Sequence, residues 1–425
     1  MVDGAAIRRK VRYRIIAAAL FFAVLGFGFA TAAPIDRPNA LDRRVDALSQ
    51  SALLHEPATV LVDHARQAAA LRRTHLTLPG WVLIQIFEAI ALLYLWGSGG
   101  AARLRDWLRR RIRSDWMLRF AFGAALALVA RIAAFLPAFY LYRVEKTMQL
   151  SVELTRWWLV SWAGHTVLGM IVAGLVAAIV LGWAQRTHQW YAYTILAILA
   201  GCVIWTYASP YLTLLGSTIH PLNGRLDANV HDVLVRAGFG NLRVQVEGVR
   251  DTPIGEAAVI GIGSSRQILL GDTLIAGDTP PELAYDVAVE LGHVAHRDLL
   301  SIALIEGGIV ILFSALAVVL ADRVTFRRDD DPLSRLAIVA ALLALVYIAA
   351  VPARNAALRS YDFSADRYAV ALTGDPADAV RALVRDTDQR MEEVCPELTA
   401  ALFLYTSPGT GVRIEAINHV PSGCR

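Results

Sequence analysis

The sequence predicts a mainly α, polytopic membrane protein with a small α+β domain outside the bilayer. Three observations predict it. Of 425 residues 56% are hydrophobic and only 18% charged, and the mean hydropathy is +0.47, values outside the range of ordinary soluble domains. Apolar runs near 15–33, 80–98, 120–142, 157–184, 190–216, 301–321 and 334–352 can each cross a hydrocarbon layer of roughly 30 Å, which takes about 20 residues. Between and after them lie polar stretches with the short, alternating patterns of strands and capped helices.

Residues 1–33 read as a signal peptide or a first transmembrane helix. The apolar run follows Arg8, Arg9, Lys10, Arg12 and Arg14 and ends at Ala30-Thr31-Ala32-Ala33-Pro34. The basic flank stays in the cytoplasm, and residues 34–79 form an extracytoplasmic amphipathic segment. Helices 2–5 occupy 80–216. Counting spans places the loop with Arg103, Arg105, Arg109, Arg110, Arg111 and Arg113 inside, and likewise the one with Arg323, Arg327, Arg328 and Arg335. This agrees with the positive-inside rule. The expectation is a multi-pass protein of a bacterial inner membrane, with 217–300 and the tail facing outward. A net charge of +4 concentrated in those loops gives no footprint for nucleic acid.

In 217–300, Leu226, Val230, Val233, Leu234 and Ala237 recur at helical spacing before Gly238. Leu242–Glu247 alternates as a strand. Glu256–Ile262 and Gln267–Leu270 flank a Gly-Ser-Ser turn and read as a hairpin. Thr279-Pro280-Pro281-Glu282 opens a helix with a capping box. Spans 6 and 7 fill 301–352, and 353–425 completes the polar domain. Asp362 and Asp366 lie four apart there, and Asp375 caps a following helix. Of three cysteines, Cys202 falls in an apolar run, whereas Cys395 and Cys424 share the tail and can pair in an oxidising compartment.

The chemistry centres on Val289-Glu290-Leu291-Gly292-His293. It is the pattern His-Glu-x-x-His with valine for the first histidine. Two histidines one helical turn apart aim both imidazoles at one zinc, and the glutamate between them is the general base. Here the base, Glu290, and one ligand, His293, persist, but an isopropyl group has no lone pair to give. At about 100° per residue, Leu283, Val287, Leu291 and Val294 share an apolar face. Val289 interrupts the opposite stripe of Glu282, Asp286, His293 and His296.

From about residue 80 onward the chain resembles the integral-membrane zinc metallopeptidases of the CAAX prenyl protease (type 1) family and their bacterial relatives. The likeness runs through Leu136–Glu145, Tyr207–Pro210, Pro221–Leu226, Gly261–Leu274, the Pro-Pro-Glu-Leu opening and the Glu-Leu-Gly-His-Val-Ala-His-Arg-Asp run. Ser364–Asp366 and Tyr405–Ile414 complete it. The resemblance implies about seven helices enclosing a chamber, and a gluzincin-like α+β peptidase domain split by the last two spans. A chamber would house the ionisable residues of the apolar runs, Glu88, Arg131, His165 and Glu306; pairing between helices accounts for them equally well.

It also implies zinc when the protein is active, with His293 and Asp362 as metal ligands and Asp366 and Arg413 supporting them. The departures fall on the chemistry. The family has histidine at Val289, glutamate at Asp362, histidine at Ser407 and, by a softer alignment, asparagine at Glu256. Asp for Glu shortens the reach by about 1.5 Å. The expected role is a pseudoprotease that binds a peptide or membrane protein without cleaving it, with no metal required. The alternative is an active endopeptidase rebuilt on His293, His296 and Asp362, with Asp286 a further candidate ligand and Glu290 as base. A third reading keeps the fold for transport or assembly. In either peptidase-like reading the occupant lies along an edge strand that includes Glu256, Ala257 and Ala258.

Overall fold

A computed structural model describes residues 38–216, 218–222, 225–249, 252–325 and 331–424. The first apolar run, 15–33, and Arg327 and Arg328 lie outside them. Among the described residues six helices are long and apolar enough to cross a membrane: His64–Gly97, Asp115–Thr147, Thr155–Arg186, Trp190–Gly216, Asp298–Thr325 and Pro332–Thr373.

The first of these extends sixteen residues N-terminal to the expected start near residue 80, passing through Pro79. The last runs through Pro352 to Thr373 and carries Asp362 and Asp366 beyond the apolar stretch. Proline removes one backbone donor, but in a packed membrane helix neighbouring elements absorb the loss. Within the segment expected to be amphipathic, 34–79, residues 38–61 form the short helices Pro38–Asp46, Gln50–His55 and Ala58–Leu61, and the long helix begins at His64. His64–Gly97 packs on Asp115–Thr147 and on Pro332–Thr373, and Asp298–Thr325 sits between the latter and Trp190–Gly216. Thr155–Arg186 packs on Asp115–Thr147 but touches Trp190–Gly216 far less. At that seam opens a cavity of about 470 Å³, lined by Val176, Ile179, Trp183, Cys202, Trp205 and Glu306 among others.

The ionisable residues of the apolar runs have partners. Glu306 accepts from the Arg354 guanidinium at 2.9 and 2.6 Å. Glu88 lies within electrostatic range of Arg131 on the neighbouring helix. His165 Nδ1 pairs with the Ser161 carbonyl one turn back, at 2.8 Å. The polar groups of these apolar helices are thus offset by pairing between or within helices.

The polar domain holds a four-stranded sheet, β1 (Thr218–Pro221), β2 (Arg243–Gly248), β3 (Ala257–Ile260) and β4 (Gln267–Gly271), in the order β1-β2-β4-β3. β3 and β4 pair antiparallel with Ala258 opposite Leu269, the expected hairpin, closed by a short 3₁₀ turn at Gly263–Ser265. β2 and β4 are parallel, and β1 adds antiparallel to β2. Helix Arg225–Arg236 is followed by Gly238 at φ 78°. The motif helix Pro280–His296 packs across the sheet, with Leu283, Val287 and Leu291 at most 1% exposed. Helix Pro376–Arg390 follows, its first turn held by Asp375 accepting from the Ala377 and Asp378 amides.

One buried cation ties these layers together. Arg385 reaches Glu282 of the motif helix at 3.1 Å, Asp46 at 2.5 Å, Asp42 at 3.2 Å and Asp278 at 3.8 Å. Its side chain is 2% exposed, so the guanidinium trades hydration for a ring of carboxylates. Glu282 simultaneously closes the capping box, accepting from the Thr279 amide at 2.8 Å. At the far end Cys395 and Cys424 are joined in a disulfide, with Cα atoms 5.4 Å apart. The tail also docks on helix Ala58–Leu61 through the Thr59 amide, which donates to the Ser422 carbonyl at 3.2 Å.

Candidate functional site

The site forms where the motif helix, the long helix Pro332–Thr373 and the edge strand β3 meet. Close approach of the two helices depends on Gly292. A Cβ there would lie 2.8 Å from Ala365 Cα and 3.2 Å from its Cβ, so only glycine permits this spacing without a shift. Contact at Ala365 brings the flanking side chains together. His293 Nε2 lies 3.8 Å from Asp362 Oδ1.

The imidazole is oriented from behind. His293 Nδ1 donates to Asp298 Oδ2 at 2.9 Å, and Asp298 is 3% exposed at its side chain. A carboxylate on Nδ1 fixes the tautomer and leaves the Nε2 lone pair facing Asp362. Asp298 reaches back because Arg297, at φ 60°, ends the motif helix in the left-handed region and turns the chain. The residue types gave no role to Asp298. Its signal in the sequence is a carboxylate just past the end of the helix that carries the motif.

Ser407 lies beside the Asp362 carboxylate, close enough to act on it. Asp366, one turn on, takes a bidentate grip from Arg413 at 2.8 and 2.7 Å. The Tyr285 hydroxyl donates to the same carboxylate at 2.9 Å. Asp366 therefore clamps the long helix to the motif helix and to the C-terminal helix Thr410–Asn418. Burial and the adjacent Asp366 charge push the Tyr285 phenol well above its ordinary value, so it stays a donor.

Glu290 points at the sheet. Its Oε2 accepts from the Val259 amide of β3 at 2.5 Å. Burial pushes its carboxyl up to about 7; His293 and the Val259 amide act against the rise, and Asp362 and Glu256 add to it. Glu256 is exposed at the start of β3, and Ala257 and Ala258 are half-buried within it.

The rest of the expected stripe disperses. Val289 is half-buried and packs against the domain core. His296 is exposed, its ring edge-on to Tyr368 at 5.9 Å between centroids. Asp286 turns to Asp278, and burial together with that second carboxyl pushes its own well above the usual range. Two neighbouring carboxyls disfavour each other's ionisation. The stripe is thus continuous by helical angle but faces three different surroundings.

Among the described residues no three His, Cys, Asp or Glu side chains gather as a metal site. A catalytic zinc takes three protein ligands, whereas only His293 and Asp362 converge here. The donor set does not fit zinc, and no chemical step through a metal follows from it.

Comparison with known proteins agrees with this architecture. Residues 221–420 match the model described as Peptidase family M48. The chain is 21% identical over 334 residues to the Bacillus subtilis (strain 168) protein named uncharacterized metalloprotease YhfN, covering 75% of this chain and 77% of that one. It is 26% identical over 255 residues to Protease HtpX homolog 1 of Streptomyces coelicolor (strain ATCC BAA-471 / A3(2) / M145), covering 57% and 81%. The crystal structure of S. mikatae Ste24p superposes with a TM-score of 0.70 at 16% identity, over 93% of this chain and 98% of that one. That last likeness speaks for the fold. The expected resemblance to membrane metallopeptidases is therefore shown: residues 221–420 match the Peptidase family M48 model, and the whole is a mostly helical, Ste24p-like fold with membrane-capable helices.

Proposed function

We propose that this protein is a pseudoprotease: a membrane-embedded M48-type scaffold that holds an extended polypeptide, or a segment of a membrane protein, without hydrolysing it. The carrying observation is the position of Val289. Its half-buried isopropyl group packs against the domain core at the position of the motif's first histidine and has no lone pair to offer a metal. His293 and Asp362 remain paired with each other and with Asp298 and Ser407. A two-ligand arrangement does not activate water at neutral pH.

The binding surface of this reading is the outer edge of β3. An extended segment adding there pairs its backbone with Ala257 and Val259, while Glu256 and the Asp362–Ser407 pair border its path. What orients the occupant is backbone pairing, so recognition tolerates varied side chains.

The same reading places the domain outside the cytoplasm of a bacterial inner membrane. The Cys395–Cys424 disulfide supports an oxidising compartment. The arginine-rich loop after His64–Gly97 is tied to the loop before Pro332–Thr373 by Arg105 and Asp331 at 3.3 Å, so both basic loops share the opposite face.

The test is metal content. Full-length protein is purified in detergent without chelator, and zinc per chain is measured by mass spectrometry beside the Val289→His/Asp362→Glu double variant. The expected result is no zinc in the natural chain and about one per chain in the variant. Stoichiometric zinc in the natural chain, removed by Asp362→Ala or His296→Ala, overturns the proposal.

A further inference from the structure

β3 is an edge strand, and only half of its backbone is used by the sheet. The Gly271 amide donates to the Glu256 carbonyl at 2.8 Å, and the antiparallel register sets Ala257 opposite Leu270 and Val259 opposite Ile268. Because hydrogen-bonded and non-bonded positions alternate, the amides and carbonyls of Ala257 and Val259 face away from β4. An incoming strand would use these groups. One of them is already taken: the Val259 amide donates to Glu290.

We propose that Glu290 is a latch on the edge strand, occupying the Val259 donor so that an extended polypeptide must displace it before pairing with β3. This rests on the reading of β3 as the docking edge and adds its regulation. In the intact motif the glutamate serves a metal-bound water; here the carboxylate serves a backbone amide. That role explains why glutamate stands beside Val289, where no ligand set calls for a base. It also suits an exposed edge, which proteins otherwise blunt with charge or cover. The latch holds through the carboxyl oxygen that accepts from the sheet amide, and a docking strand replaces that bond with a backbone carbonyl.

Hydrogen exchange reads the latch directly. In the full-length protein in detergent, exchange of the 257–262 segment is followed by mass spectrometry in the natural chain, Glu290→Gln and Glu290→Ala. The Val259 amide exchanges about tenfold faster in Glu290→Ala than in the natural chain, with Glu290→Gln between them. Equal rates in all three overturn the proposal. The second readout is binding of a fluorescein-labelled alternating Thr-Val heptapeptide with lysine ends, measured by anisotropy. Glu290→Ala binds it about tenfold more tightly than the natural chain, and adding Ala257→Pro, which removes an edge donor without touching the latch, abolishes binding. If the peptide binds the natural chain and Glu290→Ala equally, and Ala257→Pro abolishes both, the docking edge stands and the latch falls. If no variant binds in an Ala257→Pro-sensitive way, the docking reading falls and the latch with it, whatever the exchange rates.

Discussion

Asp298 holds His293 from across a helix end: Oδ2 accepts from Nδ1 at 2.9 Å although the two residues belong to different helices. The carboxylate is almost wholly buried, so the bond fixes the imidazole more firmly than an exposed pair would. The consequence is visible once a metal site is rebuilt. In the Val289→His/Asp362→Glu background, Asp298→Asn lowers zinc affinity by about 10–100-fold, the usual cost of losing the carboxylate behind a ligating histidine. Competition with a fluorescent zinc chelator measures it, and an unchanged affinity would show that the histidine is oriented by packing alone.

Arg385 is the hinge between the N-terminal helices and the motif helix. Replacing it with methionine leaves Glu282 and Asp278 buried without a cation. The expected loss is about 3–5 kcal/mol, as for other buried pairs broken on one side. Arg385→Met/Glu282→Gln removes charge on both sides and recovers a substantial part of that loss. Thermal unfolding in detergent gives the comparison; a double variant no better than the single one refutes the charge argument.

Stability falls as pH rises from 6 to 8. Burial lifts Glu290 to about 7 and Asp278 to about 6, and Asp286 well above the usual range. Folded values raised above unfolded ones mean that the native state binds more protons across this window, so the unfolding free energy declines with increasing pH. Below about pH 4 both states are protonated and these groups contribute no further slope. Asp286→Asn flattens the dependence, because an amide keeps a donor for Asp278 at every pH. Melting temperatures of both proteins at pH 6, 7 and 8 check this; parallel curves exclude the carboxyl pair as the source.

The disulfide closes a loop of sequence separation 29, and a loop of that length stabilises by about 3.6 kcal/mol in the chain-entropy model. Cys424→Ser and reduction of the natural chain lower the melting temperature alike, because Cys202 lies at the membrane seam and forms no bond to either. In intact spheroplasts a membrane-impermeant maleimide labels the tail after an impermeant phosphine, which also tests the outward placement of the domain. Labelling only after lysis places the domain in the cytoplasm instead.

Much of this was legible from the residues. Thr279-Pro280-Pro281-Glu282 is a helix start on local chemistry alone, and its capping box forms as read. The hairpin, Gly238 and the Asp375 cap are likewise written in neighbouring residues. What sequence could not supply is partnership over distance. Arg385 sits 343 positions from Asp42, and nothing local marks it as buried. The angular stripe on the motif helix was legible, but its division among Arg385, the core and Asp362 depends on which elements cross it. The apolar runs near 80–98 and 334–352 were too short a guide because hydropathy marks the lipid-facing stretch only, and both helices continue past it through Pro79 and Pro352. β1 is four residues with no alternation in burial, too short for a period to show.

Gly292 sets the distance on which the site depends. It lies against the Ala365 backbone, where an added methyl group meets Cα at 2.8 Å. Neither helix can yield easily, because Asp366 is clamped by Arg413 and Tyr285 one residue beyond the contact. Gly292→Ala therefore forces the two helices apart or off axis, at about 1–3 kcal/mol, the range for overpacked cores. Helix propensity pulls the other way by about 1 kcal/mol, so a net loss of stability isolates the steric effect. In the Val289→His/Asp362→Glu background the same change lowers zinc affinity, since His293 and residue 362 move apart with the helices. Ala365→Gly removes only the Cβ contact at 3.2 Å and leaves the backbone contact at 2.8 Å, so it restores little of the affinity in Gly292→Ala. Thermal unfolding and zinc competition check this: unchanged stability and zinc affinity in Gly292→Ala show that the helix spacing does not depend on this contact.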